Sequence, residues 1–313
     1  MDVQGVELAA KPADSNLITS YMSVLDVSPR TRENYERAFR QFLKWSEANG
    51  KNPAQLRRTD LAAYRDSLLE NHKASTVRAY LVPVRAFYKW TASEGLYPNI
   101  AEGLKAPKQP RGFAKDCLTP DQIGRVFGVL EGRSDANAIR DAALVTVIAM
   151  TGLRTVEAAR ADIGDLRTMG AKRVLWVQGK GRDSKDDFVV IPADAGAALD
   201  AYLASRGEQD PESPLFASKG NRNKQGRMTT RSISRICKES FRAAGIDSER
   251  ITAHSLRHTA VTAALMGGAT VQEAQAMARH SNINTTMIYS HNIDRAANPA
   301  EEKAAAYFKG KRC

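Results

Sequence analysis

The sequence predicts a mainly α-helical protein in two domains, with a small β-sheet in the second. Three observations carry this. Apolar residues recur at helical spacing through most of the chain. Two strand-like runs, 173–177 and 187–192, flank a glycine- and charge-rich turn and read as a hairpin. The stretch 106–117 carries Pro107, Pro110 and Gly112 without periodicity, which is a linker signature. A length of 313 residues makes two domains the default, and 42% hydrophobic residues suffice for ordinary cores.

Residues 1–14 read as a flexible tail. They hold no apolar core, so no secretory signal is expected. No apolar run reaches the roughly 18 residues of a membrane span. The first domain is expected over 15–107. Ser28-Pro29 reads as N-cap and first helical position, followed by a core stripe of Tyr35, Ala38, Phe39, Phe42 and Leu43. Arg37, Arg40 and Lys44 recur on another face. A further helix follows at 58–71. The next, 75–92, has an apolar seam of Val77, Leu81, Val84 and Tyr88, and a basic stripe of Arg78, Arg85 and Lys89. Pro83 predicts a kink there, or two helices in place of one. Each basic stripe fits either a solvated helix face or a surface for a polyanion.

The linker is placed at 108–117 and the second domain at 118–296. Thr119-Pro120 caps its first helix, and 138–150 is a long apolar helix. Helices are expected near 193–206 and 229–244. The stretch 254–289 reads as three helical segments: one stopped by Gly267-Gly268, one over 271–278, and a short one carrying Tyr289. The segment 297–313 forms an alanine-rich tail helix with Tyr307 and Phe308, then a basic tip. Such a short helix is marginal alone and needs a docking surface.

The net charge is +11 and the pI about 9.6, with the excess in both halves. A chain that wraps a polyanion fits this, and so does any soluble basic protein. Cys117, Cys237 and Cys313 are odd in number and scattered, with no CxxC pair. Disulfides and zinc are not indicated, and the cytoplasm is the natural compartment.

Four short motifs stand out. Residues 151–157 read Thr-Gly-Leu-Arg-Thr-Val-Glu; Gly179-Lys180-Gly181 lies in the hairpin turn; His254-x-x-Arg257 opens a helix; and His280 precedes Ser281-x-x-x-Thr285-Thr286-x-x-Tyr289. In this order the set resembles the tyrosine recombinases, the phage-integrase family. The start Ser28-x-x-Thr31-x-x-x-Tyr35 and the run Lys105-Ala106-Pro107-Lys108 resemble, more loosely, that family's helical core-binding domain. The resemblance implies an N-terminal DNA-binding domain, an α+β catalytic domain, and a site of Arg154, Lys180, His254, Arg257, His280 and Tyr289.

Those residue types suit metal-free transesterification of a phosphodiester. Arg154 and Arg257 can clamp the non-bridging oxygens, because guanidinium forks stay charged at any working pH. His280 can add a hydrogen bond, Tyr289 can attack phosphorus, and His254 can take the phenol proton. The resemblance implies that Lys180 protonates the departing 5′ oxygen. Glu157 is expected to orient a neighbouring site residue. No clustered carboxylates suggest magnesium, so no metal or other cofactor is expected. Lys185 competes with Lys180 in the same turn. His258, His291 and Tyr307 do not match the motif and are read as non-catalytic.

The sequence departs from the family pattern twice: Ala278-Arg279 stands where Leu-Gly is usual, and Val156 where serine is common. The expected function is site-specific recombination of double-stranded DNA with paired sites, by a homotetramer that trades its tails between subunits. The layout is similar to Xer-type resolvases and simple mobile-element integrases. A type IB topoisomerase, or a helix-turn-helix regulator built on 257–279, are the alternatives.

Overall fold

The structure, a computed structural model, describes residues 15–108, 116–179, 181–207, 210–220, 223, 225–289, 305, 307 and 308. The expectations for the 1–14 tail, most of the linker, Lys180, His291 and most of the 297–313 tail lie outside these residues. The chain divides into two compact units, 1–111 and 112–313.

Among the described residues the first unit holds four α-helices: α1 (Ser15–Ser23), α2 (Pro29–Ala48), α3 (Arg58–Asn71) and α4 (Ala74–Ser93). Ser28 caps α2 by accepting from the backbone N–H of Thr31. The helix α1 is an addition to the sequence reading, although Leu17, Ile18, Tyr21 and Met22 recur at helical spacing and all pack into the core of this unit. The core of this unit is aromatic: Tyr21, Phe39, Phe42, Tyr64, Phe87 and Tyr88 are buried, and Phe39 and Phe87 lie 4.7 Å apart. Each such ring contributes about 1.5–3 kcal/mol by leaving water. The two-helix reading of 75–92 is corrected: α4 runs through Pro83 as one helix, and the Tyr21 hydroxyl donates to the Pro83 carbonyl at 2.9 Å. Three arginines hold the segment after α4 by its carbonyls. Arg58 donates to Gly103, Arg65 to Lys105 and Arg85 to Leu104.

The second unit is α+β. Its helices are α5 (Pro120–Glu131), α6 (Ala138–Thr151), α7 (Thr155–Arg160), α8 (Ala193–Arg206), α9 (Thr230–Ala243), α10 (Ala253–Met266) and α11 (Val271–Ala278). Residues 283–289 add two further helical turns. The apolar α6 is central, packed by α5, α8 and α10. The sheet is antiparallel, in the order β1 (Leu166–Met169), β2 (Lys172–Val177), β3 (Asp187–Val190), with Leu175 opposite both Leu166 and Val189. β1 escaped the hairpin reading because it is short and mostly exposed, so it shows no alternation. Among the described residues no helix is long and apolar enough to cross a membrane.

Candidate active site

The turn between α6 and α7 positions the first arginine. Gly152 ends α6 with φ +65, a left-handed cap that glycine adopts without steric cost. A side chain there would also meet Ala260, Met277 and Arg257. Leu153 anchors the turn in the core, and Arg154 becomes the N-cap of α7. Glu157, fully buried one turn on, accepts the backbone N–H of Arg154 at 2.8 Å and its Nη1 at 2.6 Å. Thus Glu157 orients Arg154 twice, by main chain and by side chain. Beside them a cleft of about 480 Å³ is lined by Arg154, Thr155, Ser234, Lys238 and His254.

Helix α10 supplies the second arginine. Arg257 is buried, and burying a guanidinium is costly unless its charge is met. It is met by two helix ends. Nη1 donates to the Gly152 carbonyl at 2.6 Å, and Nη2 to the Ala278 carbonyl, the last of α11. Carbonyls at helix C-termini carry the negative end of the macrodipole, so they suit a cation. Two more arginines share the end of α11. Arg279 donates to the Met277 carbonyl at 2.7 Å, and Arg154 Nη2 to the Arg279 carbonyl at 3.1 Å. Arg279 also pairs with Glu157 at 2.6 Å. Burial alone would raise the Glu157 pKa, but Arg279 and Arg154 outweigh it and hold the carboxyl below its ordinary value. Burial, then Arg154 and Arg279, press the Arg257 pKa down, yet a guanidinium stays protonated at working pH.

Tyr289 closes the site. It is 4% exposed, in a small cluster with Val261, Ala274 and Ala278. Its hydroxyl meets Nδ1 of His258, not His254. His254 lies behind, its ring 4.6 Å from that of His258 and edge-on to it. The Tyr289 ring stacks 6.3 Å from His280, whose Nδ1 sits 2.9 Å from the buried Thr286 hydroxyl. Burial pushes the Tyr289 phenol up to about 12, although Arg257 opposes it. Burial and neighbouring positive charge push His258 and His280 down to about 4. His254 remains open to solvent, and partial enclosure of its ring, with Arg257 and Arg154, lowers it too. Near neutral pH the site therefore holds an un-ionised phenol, neutral imidazoles able to accept its proton, and permanently charged arginines.

The structure thus brings Arg154, His254, Arg257, His280, Tyr289 and Glu157 together. Lys180 lies outside the described residues. Its competitor Lys185 is held by Asp162 at 2.6 Å and Asp165 at 2.5 Å. The N-terminal basic residues divide. Arg37, Arg40, Lys44, Arg78 and Lys89 are exposed, though Arg40 pairs with Glu36 at 2.5 Å. Arg85 is half-buried on the Leu104 carbonyl, so it is not part of an exposed stripe.

Two residues at the site were missed. His258 matches no motif position, yet its spacing of four from His254 places both rings on one face of α10. Arg279 stands out in the sequence only as a departure from a pattern. Its signal was a cation at the end of a helix.

The family described as the phage integrase family matches residues 116–295, and the phage integrase N-terminal SAM-like domain matches 16–96. Tyrosine recombinase XerD of Rhizobium meliloti (strain 1021) is 31% identical over 273 residues, covering 84% of this chain and 85% of that protein. Tyrosine recombinase XerC of Myxococcus xanthus is 30% identical over 282 residues, covering 84% and 87%. Among solved structures, the XerH site-specific recombinase bound to a palindromic difH substrate, a post-cleavage complex, matches with a TM-score of 0.73 at 17% identity. It covers 93% of this chain and 91% of that one. A lambda integrase dimer bound to a COC′ core site matches with a TM-score of 0.67 at 17% identity, covering 88% and 76%. Identities this low speak for the shared fold.

Proposed function

We infer the mechanism from the premise that this chain belongs to the phage integrase family and is a site-specific DNA recombinase. Tyr289 Oη attacks the phosphorus of a scissile phosphodiester. The bond to the 5′ oxygen breaks, and the 3′ phosphate becomes esterified to the tyrosine. A 5′ hydroxyl of a second strand then attacks this ester, releases Tyr289 and joins the exchanged strands. The phosphotyrosine conserves the bond energy, because a phenol is a far better leaving group than a sugar hydroxyl.

With its pKa at about 12, the phenol needs a base near neutral pH. His258 is the ring in contact with the hydroxyl, and His254, behind it and open to solvent, can pass the proton on. Arg154 and Arg257 each spend two N–H groups on carbonyls or Glu157. Their other N–H groups are left for the non-bridging oxygens, whose charge grows in the transition state. With Thr286 donating to Nδ1, His280 presents Nε2–H as a further donor. Lys180 protonates the leaving 5′ oxygen, and the arginines do the charge neutralisation that other phosphoryl-transfer sites give to metal ions, so the reaction needs no metal. Exposed Arg37, Arg40, Lys44, Arg78 and Lys89 contact the duplex backbone. The working unit is a homotetramer on paired sites, in the cytoplasm.

The observation that carries this reading is Tyr289 enclosed by His258 and His280 beside two arginines held at helix ends. Its test is covalent capture in excess EDTA. The wild-type chain should form a denaturant-stable DNA adduct, and the Tyr289→Phe chain should bind the same DNA without one. Sequencing the DNA retained by that variant identifies the site. An adduct formed by Tyr289→Phe would remove the nucleophile assignment, and wild-type activity lost in chelator and restored by magnesium would remove the metal-free one.

A further inference from the structure

The departure from the family pattern at position 279 is the least expected feature of this site. Arg279 ends α11 at φ 52, a left-handed conformation that L side chains rarely adopt. Its side chain is 5% exposed, and its buried Nε has no hydrogen-bond partner. A strained backbone and a buried cation at one position need compensation, and it comes from Arg154 and Glu157. The Arg279 carbonyl receives Arg154 Nη2 at 3.1 Å, and the Arg279 guanidinium reaches Glu157 Oε2 at 2.6 Å. The other oxygen of Glu157 holds Arg154 Nη1. Arg154 is therefore gripped on one arm by the main chain of residue 279, and on the other by a carboxylate whose charge residue 279 shares.

We propose that Arg279 is a positioning residue for the strand-cleavage step, holding Arg154 by its carbonyl and offsetting the charge of Glu157 so that Arg154 keeps its pull on the scissile phosphate. Without Arg279, Glu157 cancels the charge of Arg154 and leaves Arg257 as the uncompensated cation where a phosphate must be attracted. With Arg279 facing Glu157, Arg154 adds its charge to that of Arg257. The left-handed backbone and the side chain act together: the turn aims the carbonyl at Arg154 and directs the guanidinium to Glu157. The proposal rests on the recombinase reading for its consequence, but the coupling between residues 279 and 157 is a property of the DNA-free chain.

Four substitutions test it in the full-length protein: Arg279→Gly, Arg279→Lys, Glu157→Gln and the double Glu157→Gln/Arg279→Gly. Glycine accepts the left-handed backbone and keeps the carbonyl, so it removes the cation without adding strain. The probe is a nicked duplex carrying the site recovered with Tyr289→Phe, used at saturation, with covalent adduct followed in single turnover. Arg279→Gly should slow adduct formation at least about tenfold while duplex affinity changes by less than about threefold; Arg279→Lys should restore most of the rate. In the Glu157→Gln background the glycine substitution should cost little further, since no carboxylate charge remains to be offset. A wild-type rate for Arg279→Gly, or an equal penalty in both backgrounds, overturns the proposal.

Should the wild-type chain form no adduct, the recombination reading fails on its own, and urea midpoints of the same chains still decide the coupling. Arg279→Gly should restore stability lost in Glu157→Gln, because it removes a buried cation left without its carboxylate. Additive midpoint shifts would overturn the coupling.

Discussion

Replacing Arg257 by lysine tests how the site is held together. The wild-type guanidinium is buried and bridges the Gly152 carbonyl at the end of α6 to the Ala278 carbonyl at the end of α11. A lysine ammonium is a point charge on a flexible stem and cannot reproduce that fork. One charge-assisted bond is lost, about 1.5–3 kcal/mol, and a buried carbonyl is left without its donor. The expected loss of stability is about 2–3 kcal/mol. In a unit of this size each kcal/mol lowers Tm by about 2–4 °C, so the catalytic unit should melt about 4–12 °C earlier. Thermal melts of the full-length chain, read by circular dichroism with and without DNA, measure this. Cleavage should fall as well, since a lysine cannot supply the bidentate clamp on the phosphate proposed for Arg257. A Tm within about 1 °C of wild type would refute the view that Arg257 ties the two helix ends together, whatever happened to catalysis.

Other outcomes follow from the same geometry. The His258 and His280 pKa values of about 4 lie below the roughly 6.5 of an unfolded histidine, so between these values the unfolded chain binds more protons. Stability should be full above about pH 6.5 and fall as the pH drops from there to about 4. Urea midpoints across that window measure the slope; His258→Gln should reduce it, and an unchanged slope would remove His258 from the account. Arg85→Ala should destabilise the N-terminal unit by about 1.5–3 kcal/mol by removing its bond to Leu104, as a melt of that unit would show. Arg78→Ala and Lys89→Ala should leave stability within about 0.5 kcal/mol, but lower DNA affinity and flatten its salt slope by about 0.9 for each phosphate no longer neutralised. Deleting 297–313, which carries the exposed Tyr307 and Phe308, should spare binding to a single site and abolish tetramers in native gel shifts; unchanged synapsis would exclude a tail that links subunits.

Local chemistry made much of the chain legible before any coordinates. Ser28 and Thr119 announce helix starts because a side-chain oxygen satisfies an orphan N–H within three residues. The resemblance to the phage-integrase family implied the arginines, histidines and tyrosine, and helical spacing alone put His254 and Arg257 on one face. Tertiary structure alone decided what those groups touch. It put His258 against the hydroxyl of Tyr289, 31 residues away, turned Arg85 inward onto Leu104, and placed Arg279 on Glu157, 122 residues away. Such pairings depend on which helix ends meet across the core, and on which buried charge finds an acceptor there. Periodicity along the chain carries no record of either.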